Sequence, residues 1–212
     1  MTLKSLAPLS LSLLYALISI AVGIPSAAPD VPFLQEYHEA YPIQPGGPGD
    51  DVRSIAVDST GRVWAATRGG VYGLIQKVWK LVDGFSPGPA YALYGDDSGI
   101  IWAGTWDGLY RIENGRAAKV PEVTDAVSAL DGLDGTLIAL GPDGAWQRGD
   151  EKWKTIPREW SGNIRDVAME DQDTFWIATG MGLYRRNSAG LRLYCREEEL
   201  HSSEVNALDV TV

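Results

Sequence analysis

Six side chains pair a charge or an aromatic face with a turn or strand-end position: Arg53, Arg68, Trp106, Asp107, Asp143 and Arg165. Guanidinium groups bind oxygen-rich ligands through paired N–H donors, and an indole presents a flat apolar face. A rim that mixes the two suits a sugar or an acidic sugar. Asp107 and Asp143 raise a second possibility, because two facing carboxylates are the equipment of glycoside hydrolysis. Aspartates in tight turns also have a plainer use, since their side chains hydrogen-bond the backbone close by. The arginines and Trp106 have a plain reading too, as solvated turn residues.

Other chemistries find little support. The two histidines, His38 and His201, have no metal-ligand spacing between them. Cys195 is the single cysteine, which excludes an internal disulfide and a thiol-based metal site. No glycine-rich phosphate loop and no Ser, His, Asp arrangement occurs, so neither a cofactor nor a metal is expected. The formal charge of −10 argues against nucleic acid or an anionic membrane surface as partner, since both reward clustered Lys and Arg. With 45% apolar and 22% charged residues the composition is globular.

The elements that must carry these side chains repeat. The stretch 96–111 reads DDSGIIWAGTWDGLYR, a turn, a strand, a second turn and a second strand. It recurs at 58–73 and 170–185, with a degenerate copy at 132–147 that has Ile138 in the Trp slot. Trp64, Trp102, Ile138 and Trp176 are 38, 36 and 38 residues apart, and Gly70, Gly108, Gly144 and Gly182 keep the same intervals. A period near 40 residues with four strand signals per unit predicts an all-β fold, a β-propeller of four-stranded antiparallel blades. The units are 52–82, 90–120, 126–156 and 164–194, joined by loops rich in Pro and Gly. The repeated aromatics read as packing between blades, because a ligand platform does not need the same residue in every unit. Trp64, Trp102 and Trp176 are therefore expected to be mostly buried, with Arg68 and Trp106 exposed.

Residues 1–28 read as a targeting segment: Lys4, then an apolar stretch from Leu9 to Ile24, then small residues at 21–23 or 26–28 where cleavage fits, with an uncleaved anchor as the alternative. Residues 29–51 form a Pro/Gly-rich linker in which alternating apolar residues at 33–37 suggest one outer strand. Residues 204–212 restart the inner-strand pattern. An outer strand at the start and an inner strand at the end make a split partial blade beside four full ones. The strand count therefore points to an arc of a larger ring, with a small closed ring, in which the two terminal strands pair, as the alternative.

The run Val-x-x-Ile-x-x-Asp-x-x-Gly-x-x-Trp-x-x-Thr-x-x-Gly-x-Tyr, at 52–72, resembles the two-component regulator propeller repeat. Residues 90–111 match it closely, and 164–185 nearly so, with Asp173 at the turn Gly; the third unit departs at Ile138 and Leu140. The resemblance implies seven-bladed propellers that form the periplasmic sensor half of signalling proteins, many of which respond to glycan fragments. The expectation is thus an exported, periplasmic or extracellular module that senses a ligand or a partner without catalysis of its own. Its partners would be a small molecule or oligosaccharide, together with the missing blades or signalling partner of a longer protein. A secreted propeller enzyme acting on polysaccharide, a lyase or a glycosidase, is the rival, and a structural envelope scaffold the third.

Overall fold

The computed structural model describes residues 40–150, 152–195, 200, 202 and 204–210. The expected targeting segment, the strand at 33–37, His38 and His201 lie outside the described residues. The sheets all belong to the unit spanning Tyr41–Val212.

Sixteen strands form four antiparallel four-stranded sheets, each in sequence order. The first holds β1 (Val52–Val57), β2 (Val63–Thr67), β3 (Gly70–Ile75) and β4 (Val78–Leu81). The second holds β5 (Ala90–Gly95), β6 (Ile101–Thr105), β7 (Gly108–Glu113) and β8 (Arg116–Lys119). The third holds β9 (Ala129–Leu133), β10 (Thr136–Gly141), β11 (Gly144–Gly149) and β12 (Lys152–Pro157). The fourth holds β13 (Ile164–Met169), β14 (Phe175–Thr179), β15 (Gly182–Asn187) and β16 (Gly190–Tyr194). Among the described residues the helical structure is one 3-10 turn, Pro48–Asp50. The inner strands pack side by side, β1 on β5, β5 on β9 and β9 on β13. The sheets are propeller blades, as the period required.

Each hairpin is set by local chemistry. In the first blade the Asp58 carboxylate accepts from the backbone N–H groups of Thr60 (2.9 Å) and Arg62 (3.0 Å). It also accepts from the Trp64 indole Nε1 at 2.9 Å. Asp96 does the same for Ser98, Ile100 and Trp102, and Glu170 accepts from Trp176 Nε1 at 2.8 Å. In the first two blades one acid thus closes the first turn and orients the packing tryptophan; in the fourth the tasks are split, Glu170 holding Trp176 and Asp171 accepting from the Asp173 backbone N–H. At the second turn the hydroxyls of Thr67, Thr105 and Thr179 donate to the carbonyls of Gly70, Gly108 and Gly182. These glycines have φ of +121°, +142° and +140°, which a side chain rarely tolerates. The third blade has Ile138 and Gly141 in place of the Trp and Thr, and its first turn is instead Asp134-Gly135 with both φ positive.

The core consists of three clusters, one per joint between blades. Trp64 packs with Leu93, Ile101 and Ala103 of the second blade. Trp102 packs with Leu130, Leu137 and Ala139 of the third. Ile138 packs with Val167, Phe175 and Ile177 of the fourth. Trp64 and Trp102 are 4% and 3% exposed, as expected. Trp176 is mostly buried too, though less completely than the other two. Tyr194 lies beside it, with ring centroids 5.4 Å apart.

Two boundaries also differ. The third inner strand begins at Ala129, because Val127 turns inward and is completely buried against Gly104. Residues 204–210 form no strand, since no described strand pairs with them. They nevertheless follow an inner-strand path. Val205 N–H donates to Thr179 O, as Val127 N–H does to Thr105 O. Leu208 N–H donates to Asp166 Oδ2, matching the bond from Leu93 N–H to Ser54 Oγ.

Candidate functional site

The hairpins joining second and third strands lie at the same end of the arc as the starts of the inner strands. Backbone bonds tie them together in three blades: Arg68 N to Asp51 O, Trp106 N to Pro89 O, and Gly180 N to Asn163 O. The six sequence candidates all belong to this end.

Arg53, Tyr91 and Arg165 occupy equivalent places, and the structure gives them a common cause. Each sits where the ladder slips by one residue, between Val52 and Ser54, Ala90 and Ala92, and Ile164 and Asp166. A bulged residue leaves the pairing and its side chain is re-aimed, a device that recurs beside binding sites. The Arg53 guanidinium lies 5.2 Å from the Tyr91 ring and 3.0 Å from Asp51 Oδ2. Arg165 is exposed. The third blade has no bulge at this place.

On the hairpins, Arg68 is exposed and Trp106 is 46% exposed. The Trp106 indole lies on Gly88, where a Cβ would fall 2.1 Å from Nε1, so a side chain there would displace it. Asp107 is engaged by its own blade: Thr105 Oγ1, whose one proton is shared with Gly108 O, lies at 2.8 Å, while Tyr110 OH donates at 3.0 Å and Lys119 Nζ at 3.2 Å. Burial works against its charge, but the hydrogen bonds from Thr105, Ser86, Lys119 and Tyr110 outweigh it and hold the carboxyl below the usual range. Asp143 is exposed on a turn that lacks the threonine hub. The two aspartates are therefore unlike, one a structural acceptor and the other a surface carboxylate. Arg53 and Tyr91 are brought together; Arg68, Trp106, Asp143 and Arg165 are set on successive blades along the rim.

Sequence reasoning missed the opposite end. A cleft of about 320 Å³ between the second and third blades is lined by Tyr94, Asp97, Trp102, Arg111, Thr136 and Arg148. A second, of about 420 Å³, shares Thr136 and Arg148 and runs on to Gln172 and Asp173. Tyr94 OH donates to Gly132 O, and burial with the nearby charges of Asp131, Asp97, Asp96 and Asp134 pushes its pKa up to about 12. On the inner strands Asp131 is raised by burial, against bonds from Met169 and Gly132 and with Asp166 and Asp209 adding to the rise. Among the described residues no group of His, Cys, Asp or Glu could hold a metal ion. No helix among them is long and apolar enough to cross a membrane.

The fold and the rim define a propeller module. The family described as two component regulator propeller matches residues 46–69, the stretch that carries Arg53, Trp64 and Arg68. Among solved structures, the chain is similar to the extracellular domain of a protein assigned to a hybrid two component system in B. thetaiotaomicron. The identity is 18% and the TM-score 0.62, over 74% of this chain and 24% of that one. It is also similar to the WD40 β-propeller domain of Doa1, at 14% identity and TM-score 0.53, over 72% of this chain and 56% of that one. A protein assigned as a gluconolactonase matches at 12% identity and TM-score 0.52, over 74% of this chain and 66% of that one. At such identities the likeness is one of fold, and the chain spans about a quarter of the sensor domain's length. A search of the curated proteins finds no match.

Proposed function

We propose that the chain is an exported propeller module that senses a ligand or a partner, as part of two-component-type signalling, and has no catalysis of its own. The observation that carries this reading is the regulator-propeller match at 46–69, within a fold shared with an extracellular sensor domain. The ligand is a small molecule or oligosaccharide held at the rim, where bulged Arg53 and Arg165, Arg68 and Trp106 offer guanidinium donors and an indole face. Hydrolysis gains no support from this geometry, since it needs a second free carboxylate and Asp107 is committed to three side-chain donors.

The test is binding of neutral and acidic oligosaccharides to the full chain by titration calorimetry, beside Trp106→Ala and Arg53→Ala. Each substitution should weaken binding by about 10-fold or more, as loss of a stacking or charge-assisted contact does. Release of reducing ends during incubation would overturn the non-catalytic reading. Binding undiminished in both variants would move the site away from the rim.

A further inference from the structure

Arg111 and Arg148 enter the joint between the second and third blades from opposite sides, and the ladder register puts them there. Residues directly opposite in an antiparallel pair share a face of the sheet. Arg111 is opposite Trp102, and Arg148 is opposite Leu137. Trp102 and Leu137 belong to the cluster that closes this joint, so both arginines face the same gap. The other joints carry different pairs at these places. Between the first and second blades they are Gly73 and Ile112. A Cβ on Gly73 would fall 3.0 Å from the Trp64 ring, and Ile112 is 2% exposed, so that gap is filled. Between the third and fourth they are Gln147 and Arg186. Gln147 Nε2 donates to Gln172 O at 2.7 Å, and Arg186 donates to Glu159 at 2.9 Å.

A shortened turn keeps the gap between the second and third blades open. The first turn spans 58–62, 96–100 and 170–174 in the other blades, but 134–135 in the third. The turn 96–100 therefore overhangs a shorter neighbour, and the cleft of about 320 Å³ lies beside it, a size within the range of small-molecule sites. Its two sides are opposite in character. On one side are the guanidinium groups of Arg111 and Arg148, each with five N–H donors. Arg111 gives one of these to the exposed Glu113 at 2.8 Å, and Arg148 lies 5.2 Å from the Trp102 ring. On the other side Asp97 is exposed, and Tyr94 spends its proton on Gly132 O at 2.8 Å, so its oxygen can only accept. Burial and the charges of Asp131, Asp97, Asp96 and Asp134 push the Tyr94 pKa up to about 12, as a negative surrounding does. Ile100 and Leu137 supply apolar lining.

We propose that this cleft binds a small zwitterion, a free amino acid or a short peptide, with its carboxylate clamped between Arg111 and Arg148 and its ammonium group held by Asp97 and the Tyr94 oxygen. A guanidinium fork matches the geometry of a carboxylate, and two forks from opposing sheets hold one carboxylate from both sides. An ammonium group has three donors and no acceptor, which suits a wall that can only accept. A ligand with one charge alone meets like charge or none at the far side, so both charges are required. The proposal goes beyond the sensing reading, because it assigns a second site at the end of the arc away from the rim.

Titration calorimetry of the full chain tests it, with leucine, glycyl-leucine, and glycyl-leucine blocked by N-acetylation or by C-amidation as probes. Leucine or glycyl-leucine should bind with a dissociation constant of about 1 mM or below. Tighter binding of leucine assigns a free amino acid as the ligand, and tighter binding of glycyl-leucine assigns a peptide. Either blocked form should bind about 10-fold more weakly or worse, since each loses a charge-assisted contact. Arg148→Leu gives the third blade an apolar residue where the first two have Leu74 and Ile112, so the joint stays packed. That variant, Arg111→Gln and Asp97→Asn should each weaken binding of the zwitterion by about 10-fold or more. Cooperative melting shows that the variants remain folded. Absence of binding by both leucine and glycyl-leucine overturns the proposal. So does a blocked form that binds as tightly as its parent, or binding undiminished in all three variants. The probes carry no sugar, so each of these failures leaves the rim and the sensing reading standing.

Discussion

Replacing Trp102 by alanine tests the joint at which burial is most complete. The side chain is 3% exposed, with Trp153 edge-on at 6.1 Å and the Arg148 guanidinium at 5.2 Å. An aromatic of this kind buries about 150–250 Å². At about 25 cal/mol per Å² its transfer is worth roughly 4–6 kcal/mol, an upper bound because the unfolded chain already buries part of that area. Aromatic-to-alanine changes in cores cost about 3–5 kcal/mol, and that is the expected loss. Trp102→Phe keeps most of the packing and gives up the 2.9 Å bond to Asp96 Oδ2, so it should cost about 1–2 kcal/mol. Trp176→Ala should cost less than Trp102→Ala, because Trp176 is the less completely buried of the two. The assay is urea unfolding followed by far-UV circular dichroism, with the midpoint compared at an unchanged slope. If Trp102→Ala unfolds at the wild-type midpoint, or Trp176→Ala costs as much as Trp102→Ala, the joint-by-joint account of packing is wrong.

Three further outcomes follow from the same contacts. Burial raises the Asp96 pKa, but bonds from Ser98, Trp102 and Ile100 outweigh it and lower it from an ordinary 3.8. A carboxylate held low stabilises the fold above its unfolded pKa and loses that contribution as pH falls through the folded one. Thermal midpoints should therefore drop on acidification below about pH 4, and drop less in Asp96→Asn. Asp131 has the opposite sign: its raised pKa means that ionisation opposes folding as pH rises above the ordinary value. Asp131→Asn keeps an acceptor for Met169 N–H and should raise the midpoint at neutral pH, with the gain fading in acid; a lowered midpoint at neutral pH would contradict this. Finally, Ile138→Trp should cost about 1–3 kcal/mol by overpacking Phe175, and adding Phe175→Leu should restore most of it in urea unfolding. Equal stability of the single and double variants would count against size matching.

The blades were legible because nearly everything that makes one is local. Turn residues, strand alternation and the Trp, Thr and Gly positions lie within one period, and the ladder register follows from them. The acid six residues before each tryptophan was legible too, since Asp58, Asp96 and Glu170 keep that spacing from Trp64, Trp102 and Trp176. That the acid bonds the indole is a fact of the fold rather than of the spacing. The unpaired course of 204–210 was not legible, because it depends on what lies beside the fourth blade rather than on the residues themselves.

The candidate site divides along the same line. Looking where the copies disagree picks out Arg53, Arg68, Trp106 and Arg165, but the bulge that sets Arg53 and Arg165 out of the ladder is a register fact. Asp107 looked available because its commitment runs partly through Lys119, twelve residues on and across two strands. The clefts at the other end were harder still, since Arg111 and Arg148 come from different blades and meet only when the blades pack. Contacts between blades do leave a trace in the sequence, as pairs of matched size. Trp64 with Ile101, Trp102 with Leu137 and Ile138 with Phe175 lie 37, 35 and 37 residues apart. A large member is met by a smaller one, and the order reverses only in the last pair.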